Sequence, residues 1–320
     1  MKRRARGRRG GRSDASGPRS RESRASKADQ AVEKLLLASR LLESGEDVPA
    51  LEAAGEAVWL DPRRPDGYLL IGEIHLLHGR AADAHEAFVQ AVKKPRGGDG
   101  DPSLENSLRA HVGLARCDLM TGAWEQAVGA LRKVLRLDET DPFGVSQALA
   151  EVHLLLGRPD ACLEALVSGE AALPDAHLVA AFAHLERRDA GPAVFRARCA
   201  LLGNVYLLAC LIGEEPPDHG IAHGTESAGP LFAQDVGDRL RPYLDSRPDR
   251  LGAFTDIAMA PTVMGEVESL IELARGLNRE ADPDARRRLQ LRLADLRNVD
   301  RIHAGTSTVL GELERFEVDD

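Results

Sequence analysis

Asp218, His219 and His223 are the residues whose types and spacing come nearest to metal or acid–base chemistry. On a helix, two histidines four apart present both rings on one face, as some zinc sites require. Pro216, Pro217, Gly220 and Gly224 flank them and argue for a loop instead, and no third ligand pattern stands nearby. An ordinary surface loop is the preferred reading, with a metal-binding or catalytic centre on it as the weakest alternative. His75, His78 and His85 form a second group and read as core or surface histidines. The chain contains no GxGxxG, P-loop or GxSxG pattern, so neither a phosphate cradle nor the commonest serine nucleophile motif is supported. No catalytic residue, metal or cofactor is assigned, and a non-enzymatic protein is expected.

Charge is distributed unevenly. Residues 1–27 hold 11 Lys/Arg against Asp14 and Glu22, a balance of +9, whereas the remainder carries 31 basic and 49 acidic residues. The Arg/Gly/Ser composition of 1–27 buries too little apolar surface to offset chain entropy, so a disordered basic arm is expected there. Such an arm can bind nucleic acid through phosphates, but it lacks the aromatics that stack on bases.

The aromatic content is only 4% and the hydrophobic content 43%, with Ala and Leu prominent, which suits closely packed helices. Cys117, Cys162, Cys199 and Cys210 show no CxxC pair and read as small core residues in a reducing compartment. The Arg-rich N-terminus has no apolar segment behind it, so no secretory signal is read. The longest apolar run, Val205 to Ile212, falls far short of the ~20 residues of a spanning helix. No membrane insertion and a cytoplasmic location are the expectations.

An internal period supplies the main organisation. Gly45, Ala50, Ala54 and Ala57 recur 34 residues later as Gly79, Ala84, Phe88 and Ala91. After the Gly-rich insertion Arg96 to Asp101, the frame returns as Gly122, Ala127, Leu131 and Val134, then as Gly157, Cys162, Leu166 and Gly169. Each copy reads as two helices with the glycine at the turn between them, where a positive φ is often needed. Pro62, Pro95 and Pro174 close the second helices of their copies. Ala50, Ala54 and Ala57 share one helical face, small enough for a neighbouring helix to approach closely.

These residues resemble the tetratricopeptide repeat family. Tyr68, Ile71, Gly72, His75, Gly79, Ala84, Phe88, Ala91 and Pro95 follow that family's ladder, departing at His75, where an aromatic is usual, and at Pro95, one residue early. The first copy keeps Ala50, Ala57 and Pro62 but has Lys34 and Leu41 at aromatic positions, and a fifth copy, Asp175 to Leu202, lacks the glycine. The resemblance implies an all-α, right-handed α-solenoid of hairpins over residues 28–203, with additional C-terminal helices. Residues 204–230 read as an apolar helix end and a Gly/Pro-rich loop, and 231–320 as a helical region, capping or separate. Three patterns mark that region: Phe232, Val236, Leu240, Tyr243 and Leu244; Val263, Val267, Leu270, Ile271 and Leu277; and a helix with Asp282 as N-cap and Pro283 at N1, running through Leu289, Leu293 and Leu296.

The resemblance also implies that the first helix of each copy lines a concave, partner-binding face. Aligned on the glycines, that face takes Leu69, Glu73, Leu76 and Leu77 from copy two and Arg109, Val112, Arg116, Leu119 and Met120 from copy three. Copy four adds Gln147, Glu151, Leu154 and Leu155, and part of the whole set must be buried between helices. The Lys/Asn/Arg clamp by which one subclass grips chaperone C-termini falls here on Leu35, Ser39, Leu70, Arg109 and Gly113, where only Arg109 could serve. The leading expectation is a scaffold or adaptor that binds a peptide or amphipathic helix of a protein partner. The alternative is a nucleic-acid-associated regulator that uses the arm.

Overall fold

The computed structural model describes residues 18–94, 103–141, 143–167 and 173–319, and their regular structure is entirely helical. The expectations for the start of the arm, for Pro95 and the Arg96 to Asp101 insertion, and for Gly169 lie outside the described residues. Contacts divide the chain into two compact units, 1–121 and 122–320.

Unit 1 comprises α1 (Pro18–Glu43), α2 (Asp47–Leu60), α3 (Pro65–Leu77), α4 (Ala81–Lys93) and α5 (Ser103–Met120), each packed on the next. Its helix α1 starts inside the stretch expected as a disordered arm, because Pro18 sits at its first turn and no Gly or Pro interrupts the chain from there to Glu43. Gly45 and Gly79 adopt φ of 79° and 69° and close the first helices. Gly45 N–H donates to the Leu42 carbonyl at 3.0 Å and Glu46 N–H to the Leu41 carbonyl at 2.8 Å; Gly79 and Arg80 repeat this pattern. Phe88 of α4 fills the space where α3 and α5 lack side chains. A Cβ on Gly72 would stand 2.7 Å from its ring, and one on Gly113 2.4 Å.

Unit 2 begins with α6 (Trp124–Leu137), α7 (Val145–Leu155), α8 (Pro159–Val167), α9 (Pro174–Arg187) and α10 (Ala190–Gly203). The fifth hairpin is present, with Arg188 in the left-handed region at φ 61° where the earlier copies have glycine. Arg188 and Asp189 make the same closing bonds, to Leu185 and His184 at 3.1 and 2.9 Å. Counting from these turns, Ala50, Ala84, Ala127, Cys162 and Ala193 occupy one register position, and all are 0% exposed. The period therefore continues through a copy whose glycine has been lost.

The remainder is α11 (Leu207–Leu211), a 3-10 turn at Glu226–Ala228, α12 (Pro230–Ser246), α13 (Pro248–Met259), α14 (Pro261–Arg279), α15 (Pro283–Leu296), α16 (Val299–Ala304) and α17 (Thr306–Asp319). The three expected patterns correspond to α12, α14 and α15, and α13, α16 and α17 are additional. Asp282 caps α15 as expected, accepting from Ala285 N–H at 3.0 Å. Within unit 2, helices α13, α14, α16 and α17 all pack on α10. Arg198 of α10 reaches α14, α16 and α17. It is 1% exposed, forks onto both carboxylate oxygens of Glu266 at 2.7 and 3.1 Å, and donates to the Ile302 carbonyl.

Candidate docking face

In unit 1 the first-helix face is built by α3 and α5. Arg109 Nη2 donates to Glu73 Oε1 at 2.6 Å, and Asn106 Nδ2 donates to Asp66 Oδ1 at 3.0 Å. Leu77 and Met120, each two residues before its turn glycine, are 65% and 52% exposed. Arg116 is also exposed, and Val112 and Leu119 are half-buried. Leu69 and Leu76, expected on this face, belong instead to the core with Ala84, Phe88, Ala91, Ala110 and Cys117. A helix packed on both its own hairpin mate and the next copy buries a wide stripe, and the repeat alignment alone does not say where that stripe ends. The clamp positions fare no better: Leu70 is buried, Gly113 lies under the Phe88 ring, and Arg109 is engaged by Glu73.

In unit 2 the corresponding face is covered by the chain itself. Leu154 is a core residue, 1% exposed, Leu155 is half-buried, and Gln147 donates to Glu151 at 3.1 Å. Glu151 and Asp175, on α7 and α9, are 8% and 4% exposed, and Arg239 of α12 reaches both. Burial pushes the Glu151 carboxyl above its ordinary value, with Arg239 opposing. Farther along α12, Tyr243 O–H donates to Glu186 at 2.9 Å and its ring meets Phe182 edge-on at 5.4 Å. Glu151 therefore contacts the protein's own helix rather than an open groove.

The histidines do not form a metal cluster. His219 and His223 both lean on Tyr206, with ring centroids 5.1 and 5.4 Å away, in the irregular stretch between α11 and α12. Among the described residues no three metal-ligating side chains stand together. His78 pairs with Asp47 at 3.2 Å, whereas burial and then Arg80 lower the pKa of His75, whose Nδ1 is buried without a hydrogen-bond partner among the described residues. The four cysteines are buried and unpaired, and burial pushes the Cys162 thiol up to about 12 and those of Cys117 and Cys199 up to about 11. No helix among the described residues is long and apolar enough to cross a membrane.

Sequence reasoning missed Arg198 and Arg239. The signal for Arg198 was a charge set inside the apolar run of α10, between Ala197 and Cys199; Arg239, beside Asp235 and Asp238 on α12, gave none.

The class this architecture defines is an all-α array of tetratricopeptide-like helical hairpins with further helices laid on its last members. No family model and no curated protein matches the chain. Among solved structures it is similar to MamA, with a TM-score of 0.45 and 19% identity over 56% of this chain and 91% of that one. It is also similar to pilF of Pseudomonas aeruginosa, with a TM-score of 0.48 and 15% identity over 72% of this chain and 98% of that one. A thermophilic tetratricopeptide protein of Thermus thermophilus gives 0.36 and 21% over 54% and 91%. These are likenesses of fold.

Proposed function

We propose that this protein is a non-enzymatic docking scaffold, and that the α3–α5 face of unit 1 receives an amphipathic or extended segment of a protein partner. One observation carries the reading: Leu77 and Met120 are large, apolar and more than half exposed at the same position of successive first helices. Beside them Glu73 and Arg109 offer charge of both signs, at 33% and 36% exposure, which a partner's polar groups can meet. Leu76 and Leu154 take no part, because they are core residues. Nothing among the described residues favours the nucleic-acid alternative, whose Arg-rich residues precede the described side chains.

The test is affinity capture from the native cell with the wild type and a Leu77→Asp/Met120→Asp double variant. Both side chains are exposed, so the variant is expected to keep its helicity and Tm while losing its partner at least tenfold, about 1.4 kcal/mol. An unchanged partner set in a folded variant rejects the face.

A further inference from the structure

Within unit 2, α12 lies on the first-helix face as a partner's helix would, and its contacts give the order in which that face is met. Arg239 reaches Glu151 of α7, six residues before the turn of its hairpin, and Asp175 of α9, thirteen before its own. One helical turn later Tyr243 sets its ring edge-on to Phe182, six before the turn after α9, and donates its O–H to Glu186, two before it, at 2.9 Å. A further turn on, Arg247 Nε donates to Glu186 at 3.2 Å, and its guanidinium stands 3.9 Å from where a Cβ on Gly157, the turn after α7, would be. Helix α12 thus runs between two successive first helices in the same sense as both, meeting them through residues four apart on one face.

Unit 1 carries the same positions on α3 and α5 with different side chains. Where α12 meets two carboxylates, unit 1 has Glu73 already joined to Arg109 at 2.6 Å. Where Tyr243 meets Phe182 and Glu186, unit 1 has Arg116 and Met120, both exposed. An arginine brought over the first place would face Arg109 instead of a second carboxylate, and like charges across an interface are costly. An aromatic ring brought over the second has a guanidinium and a thioether to lie on, and both attract it.

We propose that the α3–α5 face binds a partner's helix laid as α12 is laid on α7 and α9. That helix carries an uncharged residue over the Glu73–Arg109 pair, an aromatic residue four positions later against Arg116 and Met120, and an apolar next turn over Leu77. The proposal rests on the reading of this face as the docking surface and names the chemistry of its occupant.

The probe is a peptide of residues 230–247 with Arg247→Leu, held helical by a lactam between Gln234→Lys and Asp238 on its exposed side, in one form with Arg239 and in another with Arg239→Ala. Titrated against the full chain, the Arg239→Ala peptide is expected to bind at least about tenfold tighter than the Arg239 form. Arg109→Asp gives unit 1 the two carboxylates that unit 2 has, and should reverse the preference. Unit 2 is untouched by that change, so the reversal reports on unit 1. Tyr243→Ala in the peptide should abolish binding. A benzophenone in place of the Tyr243 side chain should cross-link the wild type between Arg116 and Met120, a reading that needs no variant to fold. The proposal is overturned if neither peptide binds below about 1 mM, if Arg109→Asp leaves the preference unchanged, if Tyr243→Ala binds as well, or if the cross-link falls elsewhere. Any of these, with the native partner still lost by the Leu77→Asp/Met120→Asp variant, removes the helix and leaves the face; a native partner retained by that variant removes the face itself.

Discussion

Glu73 in unit 1 and Glu151 in unit 2 stand at the same register position, six residues before the turn of their hairpins, but they meet different partners. Opposite Glu73 the next first helix supplies Arg109, thirteen residues before Gly122, and the pair stays a third exposed. Opposite Glu151 the matching position, thirteen before Arg188, is Asp175, so the repeat array sets two carboxylates facing one place. Two buried carboxylates are costly unless a cation joins them, and α12 brings Arg239 to both. One charge at one repeat position thus separates a first-helix face that neutralises itself and stays accessible from one that the chain closes with its own helix.

The largest effect that can break this contrast is expected at the second inner arginine of unit 2. Arg198→Ala leaves Glu266, 15% exposed, without its cation and releases the Ile302 carbonyl. A loss of about 4 kcal/mol in chemical denaturation is expected, and a loss below about 1 kcal/mol shows that the C-terminal helices are held on α10 by packing alone.

Acid comes next. Burial, then Arg196, lowers the pKa of His177 of α9 from 6.5 to about 4. As pH falls through that interval the unfolded chain takes a proton that the folded chain refuses, so stability present above pH 6.5 is lost progressively toward about pH 4. The loss should approach about 3 kcal/mol, and His177→Asn should flatten it when urea midpoints are compared across the range. A midpoint in wild type that does not move with pH removes the effect.

The direct comparison of the two faces is the smallest and sharpest test. Arg239→Ala should cost about 2 kcal/mol, less than a fully buried pair because Arg239 is 34% exposed. Arg109→Ala should cost only about 0.5 kcal/mol, since both partners remain in solvent. Equal costs would mean that the two faces are not differently built.

The hairpins were legible because their requirements are local. A turn glycine, a small residue five positions on and a proline at a helix start each act within a few residues, and Pro230, Pro248, Pro261 and Pro283 do open α12 to α15. The fifth turn was harder to read because Arg188 accepts a left-handed conformation at a cost of about 1–2 kcal/mol, while its closing backbone bonds remain. The proposed docking face was only half legible. Repeat spacing placed Glu73, Leu77, Arg109, Val112, Arg116 and Met120 on helices that expose them at least in part, but it also placed Leu69, Leu76 and Leu154 there. Which part of an apolar helix is buried depends on its neighbours, and those are not written in its own period.

By itself, then, the sequence determined the hairpins, their turns and the residues that let them pack, since near neighbours in the chain satisfy those demands. Tertiary structure alone decided that Arg239 would join Glu151 and Asp175, partners 88 and 64 residues away, and that Arg198 would meet Glu266, 68 residues away. A buried charge must be compensated in space, and no local pattern records which distant residue will do it.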